Sequence, residues 1–250
     1  MKKGCFICCL LMLLSHSSLA GIKIKTATID WCPHLCPKQE QPGYVTEIVN
    51  EVFKGSAYDI DIKTYPWTRG IKMVRRGDVH ALLSPARIEV PDLIFPKHEV
   101  GVQRICFFTK TDSTWTYQGV DSLQGLKIGN ALGQTADTLK DYQSANKHQF
   151  DIMPYNDSYI SKSLKKLNAG RIDTFLISYY SGLYEMRRAK VEKEFRLAGC
   201  ASSSKIYMAF SPTQHNQQTV KTMVSYFDKQ MKRLKANGTI TTIMDKYGLK

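Results

Sequence analysis

Four cysteines and five histidines fall in residues 21–250, and their spacing decides what chemistry they can do. Cys32 and Cys36 bracket Pro33-His34-Leu35, close enough to bridge locally and stiffen one loop. With Cys106 and Cys200 the number is even, which permits no, one or two disulfides in an oxidising compartment, and two could be connected in three ways. Zinc is the weaker reading, because no second Cys/His pair stands at ligand spacing. His34, His80, His98, His148 and His215 are scattered and form no His-Glu-x-x-His. Ser202-x-x-Lys205 has the spacing of a nucleophilic serine–lysine motif. Its companions Ser-Asp-Asn and Lys-Thr-Gly are absent, and it precedes a strand instead of opening a helix. The chain therefore offers no assembled catalytic set and no metal ligands, and implies no cofactor.

What remains is polar and aromatic chemistry suited to holding a ligand. Trp31 stands at the C-terminal end of an alternating strand, 22–29, where open α/β sheets meet their ligands. Gly133-Gln134-Thr135 precedes a helix expected over 136–142. Thr135 is placed to cap it, and free N–H groups at a helix start can hold an anionic group.

The elements that must position these residues fall into two similar units. Tyr65-Pro66-Trp67-Thr68-Arg69-Gly70 reads as a strand end, an aromatic turn and a helix start, with Pro66 tolerated just ahead of the helix. Ile71 and Val74 give that helix an apolar face, Gly77 stops it, and 79–83 is a short buried strand. Gly77-x-Val79-His80-Ala81-Leu82-Leu83 returns as Gly170-x-Ile172-Asp173-Thr174-Phe175-Leu176. Two such units predict two α/β lobes, and clefts between lobes are where small ligands bind. The remaining pattern predicts helices over 43–53, 159–168, 184–193, 217–235 and 241–247. Strands or extended segments are expected over 58–65, 101–109, 126–129, 152–155, 172–177 and 206–210. No low-complexity linker occurs, so the lobes must be joined by short crossings.

Residues 1–20 have the layout of a cleaved secretory signal: Lys2 and Lys3, an apolar run over 5–14 too short to anchor in a bilayer, then Ser18-Leu19-Ala20. The expectation is an exported, soluble, periplasmic protein, cleaved after Ala20. The chain carries 35 basic against 22 acidic residues; two lysines and no acid lie in the leader, so the remainder is charged +11. Those basic residues are spread out, without a compact run or stacking-aromatic motif, which argues against nucleic acid as a partner. A solvated basic surface is the simpler reading.

The order of motifs resembles the type II periplasmic solute-binding proteins of the amino-acid type, extracellular solute-binding protein family 3. The residues are Gly43-x-x-x-Glu47-Ile48, Pro66-Trp67-x-Arg69 into Gly77-Asp78-Val79-His80-Ala81, and Asp92-Leu93-Ile94-Phe95-Pro96. They continue with Leu126-Lys127-Ile128-Gly129 to Gly133-Gln134-Thr135, then Gly170-Arg171-Ile172-Asp173-Thr174. Gly238-Thr239-Ile240-x-x-Ile243-x-x-Lys246-Tyr247-Gly248 closes the match, which covers nearly all of 21–250. The resemblance implies two lobes, 21–100 with 206–250 and 101–205, each a mostly parallel sheet flanked by helices. Two hinge crossings near 100–104 and 202–206 would let them close on a small polar solute. It further implies a monomer that delivers the solute to an ABC-type permease complex. The same closing cleft would serve a sensor that docks on a membrane receptor or kinase, and some relatives with this fold are enzymes.

By the same resemblance Trp67 takes an aromatic position that packs on the ligand, with Trp31 facing the same cleft. Arg87 matches the arginine that pairs with a ligand carboxylate. Gln134, Thr135 and Ser178 are expected to supply hydrogen bonds from the second lobe. Two departures bear on the ligand. The aspartate that usually holds an α-ammonium group is replaced by Ile177 or Ser178, and His80 stands where lobe one usually has an acid. An α-amino acid held in the usual way is not implied; a neutral or acidic solute, or a differently held amine, fits as well.

Overall fold

A computed structural model describes every residue except 1–20, Gly133, Thr135, Tyr155, Asp157, 214–216 and Lys250. The expected signal segment and the Thr135 cap therefore lie outside the described residues. Among those described, no helix is long and apolar enough to cross a membrane.

The first unit runs β1 (Ile22–Thr28), α1 (Tyr44–Phe53), β2 (Tyr58–Thr64), α2 (Trp67–Arg76) and β3 (Ala81–Ala86). The chain then crosses on β4 (Gly101–Lys110) to β5 (Ile128–Ala131), α3 (Lys140–Ala145), β6 (Phe150–Met153), α4 (Tyr159–Asn168), β7 (Thr174–Ser178) and α5 (Tyr179–Arg188). It returns on β8 (Phe195–Phe210) and finishes with α6 (Gln217–Ala236) and α7 (Thr239–Lys246). The strands pair in the order β2-β1-β3-β8-β4-β7-β5-β6. β2, β1 and β3 are mutually parallel, as are β7, β5 and β6, and the antiparallel pair β4/β8 joins the two sets. Parallel strands need covered faces, and the intervening helices cover them.

The core follows the same division. Two buried clusters draw on Ile24 to Val100 and on Ile206 to Leu249; two others lie between Ile105 and Ala198. α1 shows how pattern becomes packing: Tyr44, Val45, Ile48, Val49, Val52 and Phe53 are buried, a stripe at helical spacing. The helix enters through Gly43, whose φ of 98° is open only to glycine, and where a Cβ would fall 2.5 Å from the His34 carbonyl oxygen.

Three elements differ from expectation. β8 starts at Phe195, eleven residues before the expected 206, because Ser202 to Ser204 look like loop by composition but pair with β4 across the crossing. α5 begins at Tyr179, not 184: it follows β7 without a loop, and Gly182 lets the Phe108 ring approach where a Cβ would meet it at 2.7 Å. The helix expected over 136–142 is a 3-10 turn, Asp137–Leu139, running into α3 at Lys140–Ala145.

Candidate functional site

A cleft of about 430 Å³ opens where the C-terminal ends of the parallel strands of both sets converge. The first set contributes Ile29 and Trp31 after β1, Ser84 and Ala86 of β3, and Trp67 at the start of α2. Ile177 and Ser178 of β7 and Leu132 and Gln134 after β5 face them from the second set. Gln103 and Ile105 of β4, with Ser202 and Ser204 of β8, form the floor. The β4 and β8 contributions alternate along their strands, as a two-residue period requires.

Local structure aims these side chains. Trp31 and Leu35 exchange both backbone hydrogen bonds, at 2.7 and 2.9 Å, so residues 31–35 form a tight loop. A Cys32–Cys36 disulfide closes that loop, and a second bridge joins Cys106 to Cys200 across the β4/β8 pair. Trp31 is 8 % exposed and stacks on His34, with centroids 3.7 Å apart. His34 is fully buried, neither ring nitrogen has a hydrogen-bond partner among the described residues, and burial pushes its pKa down to about 3. Trp67 is half-buried against the cluster containing Ala27, Val74 and Leu82. Gln134 is held by its backbone: its N–H donates to Ala131 O at 3.0 Å, and its carbonyl accepts from buried Asn130 Nδ2 at 2.9 Å.

Ser84 Oγ, Ser178 Oγ and Gln134 Oε1 are buried with no hydrogen-bond partner among the described residues, and all three line this one cleft. A buried polar group left unpaired costs on the order of 1–3 kcal/mol, so three at one site call for a partner from outside the chain. Ser84 adds a second oddity. Its φ is 68°, uncommon for a non-glycine, at the point where the β3/β8 register shifts between Leu83 and Ala86. Strain of this kind persists where surrounding structure enforces it, often at ligand sites. Ser178 is the last residue of β7 and precedes α5 without capping it, which leaves its hydroxyl uncommitted.

Arg87 is not where the resemblance puts it, and does not line the cleft. Its guanidinium lies over the rings of Phe95 and Tyr207, at 4.7 and 4.6 Å, and donates to Pro96 O at 2.7 Å. Two aromatic faces and a carbonyl outcompete an open cleft for that cation. Thus Trp31, Trp67, Gln134 and Ser178 are brought together, Arg87 is not, and Thr135 lies outside the described residues. Sequence reasoning missed Ser84, Glu89, Gln103, Ser202 and Ser204. One signal for these serines is readable: Ser84 directly follows the strand expected over 79–83, and Ser202 and Ser204 stand at alternate positions of the expected crossing. The Ser202-x-x-Lys205 spacing forms no dyad: Ser202 faces the cleft, and Lys205 pairs with Glu99 at 3.3 Å.

This arrangement is the fold of the type II periplasmic binding proteins, that of solute-binding proteins of the amino-acid type. A probable amino-acid ABC transporter extracellular-binding protein from Bacillus subtilis superposes with a TM-score of 0.69 at 18 % identity, over 91 % of this chain and 98 % of that one. A histidine kinase sensor domain with similarity to periplasmic binding proteins matches at 0.66 and 16 %, over 92 % and 97 %. An ABC uptake transporter substrate-binding protein from Streptococcus pneumoniae with bound histidine matches at 0.65 and 14 %, over 90 % and 92 %. No family model and no curated protein sequence matches the chain.

Proposed function

We propose that this chain is exported to the periplasm through the leader at 1–20 and captures a small polar solute there, as a monomer and without altering it chemically. One lobe comprises residues 21–100 with 206–250, the other 101–205, and the cores that divide between these ranges support that boundary. The crossings through Gly101–Arg104 and 202–206 act as the hinge. The solute sits among Trp31, Trp67, Ser84, Gln134 and Ser178, and lobe closure around it presents the complex to an ABC-type permease.

The observation that carries this reading is the trio of unpartnered buried polar atoms in one interlobe cleft. A thermal-shift screen of amino acids, amines, organic acids and sugars tests it, since any solute that binds the native state raises Tm. Binding should weaken about ten- to hundredfold in Trp67→Ala, whose half-exposed side chain can be removed without opening the core. No stabilisation by any member of the screen would sink the reading.

A second reading places the same closing cleft in a sensor that docks on a membrane receptor or kinase. The likeness to a histidine kinase sensor domain over 97 % of that domain favours keeping it. Pull-down of solubilised inner-membrane proteins with and without solute separates the two: a permease complex supports uptake, a kinase supports sensing.

A further inference from the structure

The cleft sorts its lining by depth. Ser84 Oγ, Ser178 Oγ and Gln134 Oε1 lie deep, buried with no partner among the described residues. Ile88 and Leu132 stand at the mouth, 70 % and 69 % exposed, the two most exposed large apolar side chains among the described residues. A lone exposed isoleucine or leucine needs no explanation. Two that line one cleft, one from each strand set, point to something apolar that covers them. Both are presented in the same way. β3 and β5 each end on a buried alanine and run straight into a turn closed on that alanine's carbonyl. Glu89 N–H donates to Ala86 O at 3.1 Å, and Gln134 N–H donates to Ala131 O at 3.0 Å. A second bond anchors each turn: Glu89 Oε2 accepts the Ala86 N–H at 2.7 Å, and Leu132 N–H donates to Met153 O at 2.7 Å. The two apolar side chains are thus carried out on fixed backbone at equivalent strand ends.

From this arrangement, and resting on the binding role proposed above, we infer that the solute is amphipathic. Its polar end bonds Ser84, Ser178 and Gln134, and an apolar chain or ring extends to the mouth between Ile88 and Leu132. The deep hydroxyls and amide oxygen are satisfied only by a polar group carried to their depth. A solute polar at both ends would meet that need, but closure would then press its outer polar group against two apolar side chains and strip it of water. An apolar outer end reverses the sign, because closure removes its surface and that of Ile88 and Leu132 from water together. The volume of about 430 Å³ falls in the range of pockets that hold drug-sized molecules, so there is room for more than a head group. Trp31 and Trp67 give the apolar part flat walls to lie against. The contact forms only with solute present, which is what lets the solute favour the closed state.

Chain-length series test the inference by calorimetry on the protein without its leader: acetamide to hexanamide, ethylamine to hexylamine, acetate to hexanoate, and glycine to norleucine. In at least one series affinity should rise roughly fourfold for each added methylene, the worth of burying that group. Ile88→Ser and Leu132→Ser should each lower that gain per methylene, and together reduce it to about twofold or less. Both side chains are exposed, so neither change should lower the unliganded Tm. Affinities that stay flat or fall with length in every series that binds overturn the inference and leave the capture role standing. So does binding by sugars or other solutes of the wider screen with none from these series. A gain per methylene that survives both substitutions also overturns it, because the apolar end then lies elsewhere. Stabilisation by nothing in these series or in the wider screen overturns both readings. The series on the native chain need no variant, so they decide the matter even if a serine variant misfolds.

Discussion

Trp31 and His34 stack face to face, centroids 3.7 Å apart and planes within 5° of parallel, so the wall of the cleft rests on a buried neutral imidazole. Tyr44 and Tyr180 complete its surroundings, at 5.0 and 6.0 Å between ring centroids. Burial holds the folded pKa of His34 near 3, against 6.5 when exposed. Between those values the unfolded chain binds a proton that the folded one refuses. This contribution is therefore fully present above pH 6.5 and is lost as pH falls, by about 1.4 kcal/mol per unit. Urea denaturation at pH 7 and pH 4.5 should show the native chain losing roughly 2–3 kcal/mol more than His34→Phe does. Equal losses would mean that His34 is already paired or hydrated in the folded state.

Ser178 should give two effects of opposite sign. Ser178 is 2 % exposed and its hydroxyl has no partner among the described residues, so Ser178→Ala removes an unsatisfied group and should raise stability by up to about 1 kcal/mol. If that hydroxyl binds solute, the same change weakens binding about tenfold, the worth of one buried hydrogen bond. Denaturation of the free protein and calorimetry with a hit from the screen read the two arms separately. A variant that loses stability and binds normally would make Ser178 a structural residue.

Much of this was readable from the chain because two signals agree. The stripe at 44, 45, 48, 49, 52 and 53 marks α1, and the Gly77 and Gly170 units mark two helix-to-strand turns with positive φ at both glycines. Trp31, Trp67, Gln134 and Ser178 were findable because each ends or follows a strand or starts a helix. β8 was read short because Ser202, Ser203 and Ser204 are strand residues only by pairing with β4, and cross-strand partners cannot be read from local composition. Arg87 was misplaced for a related reason: Phe95 and Tyr207, which hold it, lie 8 and 120 positions away.

Arg87 should accordingly matter to folding and not to capture. Its guanidinium is sandwiched by two rings and bonded to Pro96 O, contacts worth on the order of 1–2 kcal/mol at a site this exposed. Arg87→Ala should lower the unfolding free energy by that amount and leave solute affinity within about threefold. A loss of a hundredfold or more in affinity at unchanged stability would show that Arg87 swings into the cleft when solute arrives.

The two disulfides should separate stability from binding. Cys106–Cys200 joins residues 94 apart in sequence, so it restrains a long loop in the unfolded chain; Cys32–Cys36 spans only 4. Loop-closure entropy makes the first worth about 4–5 kcal/mol and the second about 2 kcal/mol. Their positions reverse that ranking for the cleft. Cys106 is buried in the second set's core, whereas Cys32–Cys36 closes the loop that sets the Trp31 indole. Replacing both members of each pair by alanine should therefore cross over. Cys106→Ala with Cys200→Ala loses more stability yet binds with near-native affinity at a temperature where it remains folded. Cys32→Ala with Cys36→Ala loses less stability but binds about tenfold more weakly, because the free loop must be ordered on capture. If the long-range pair alone governed affinity, the β4/β8 pair and not the Trp31 loop would set the shape of the cleft.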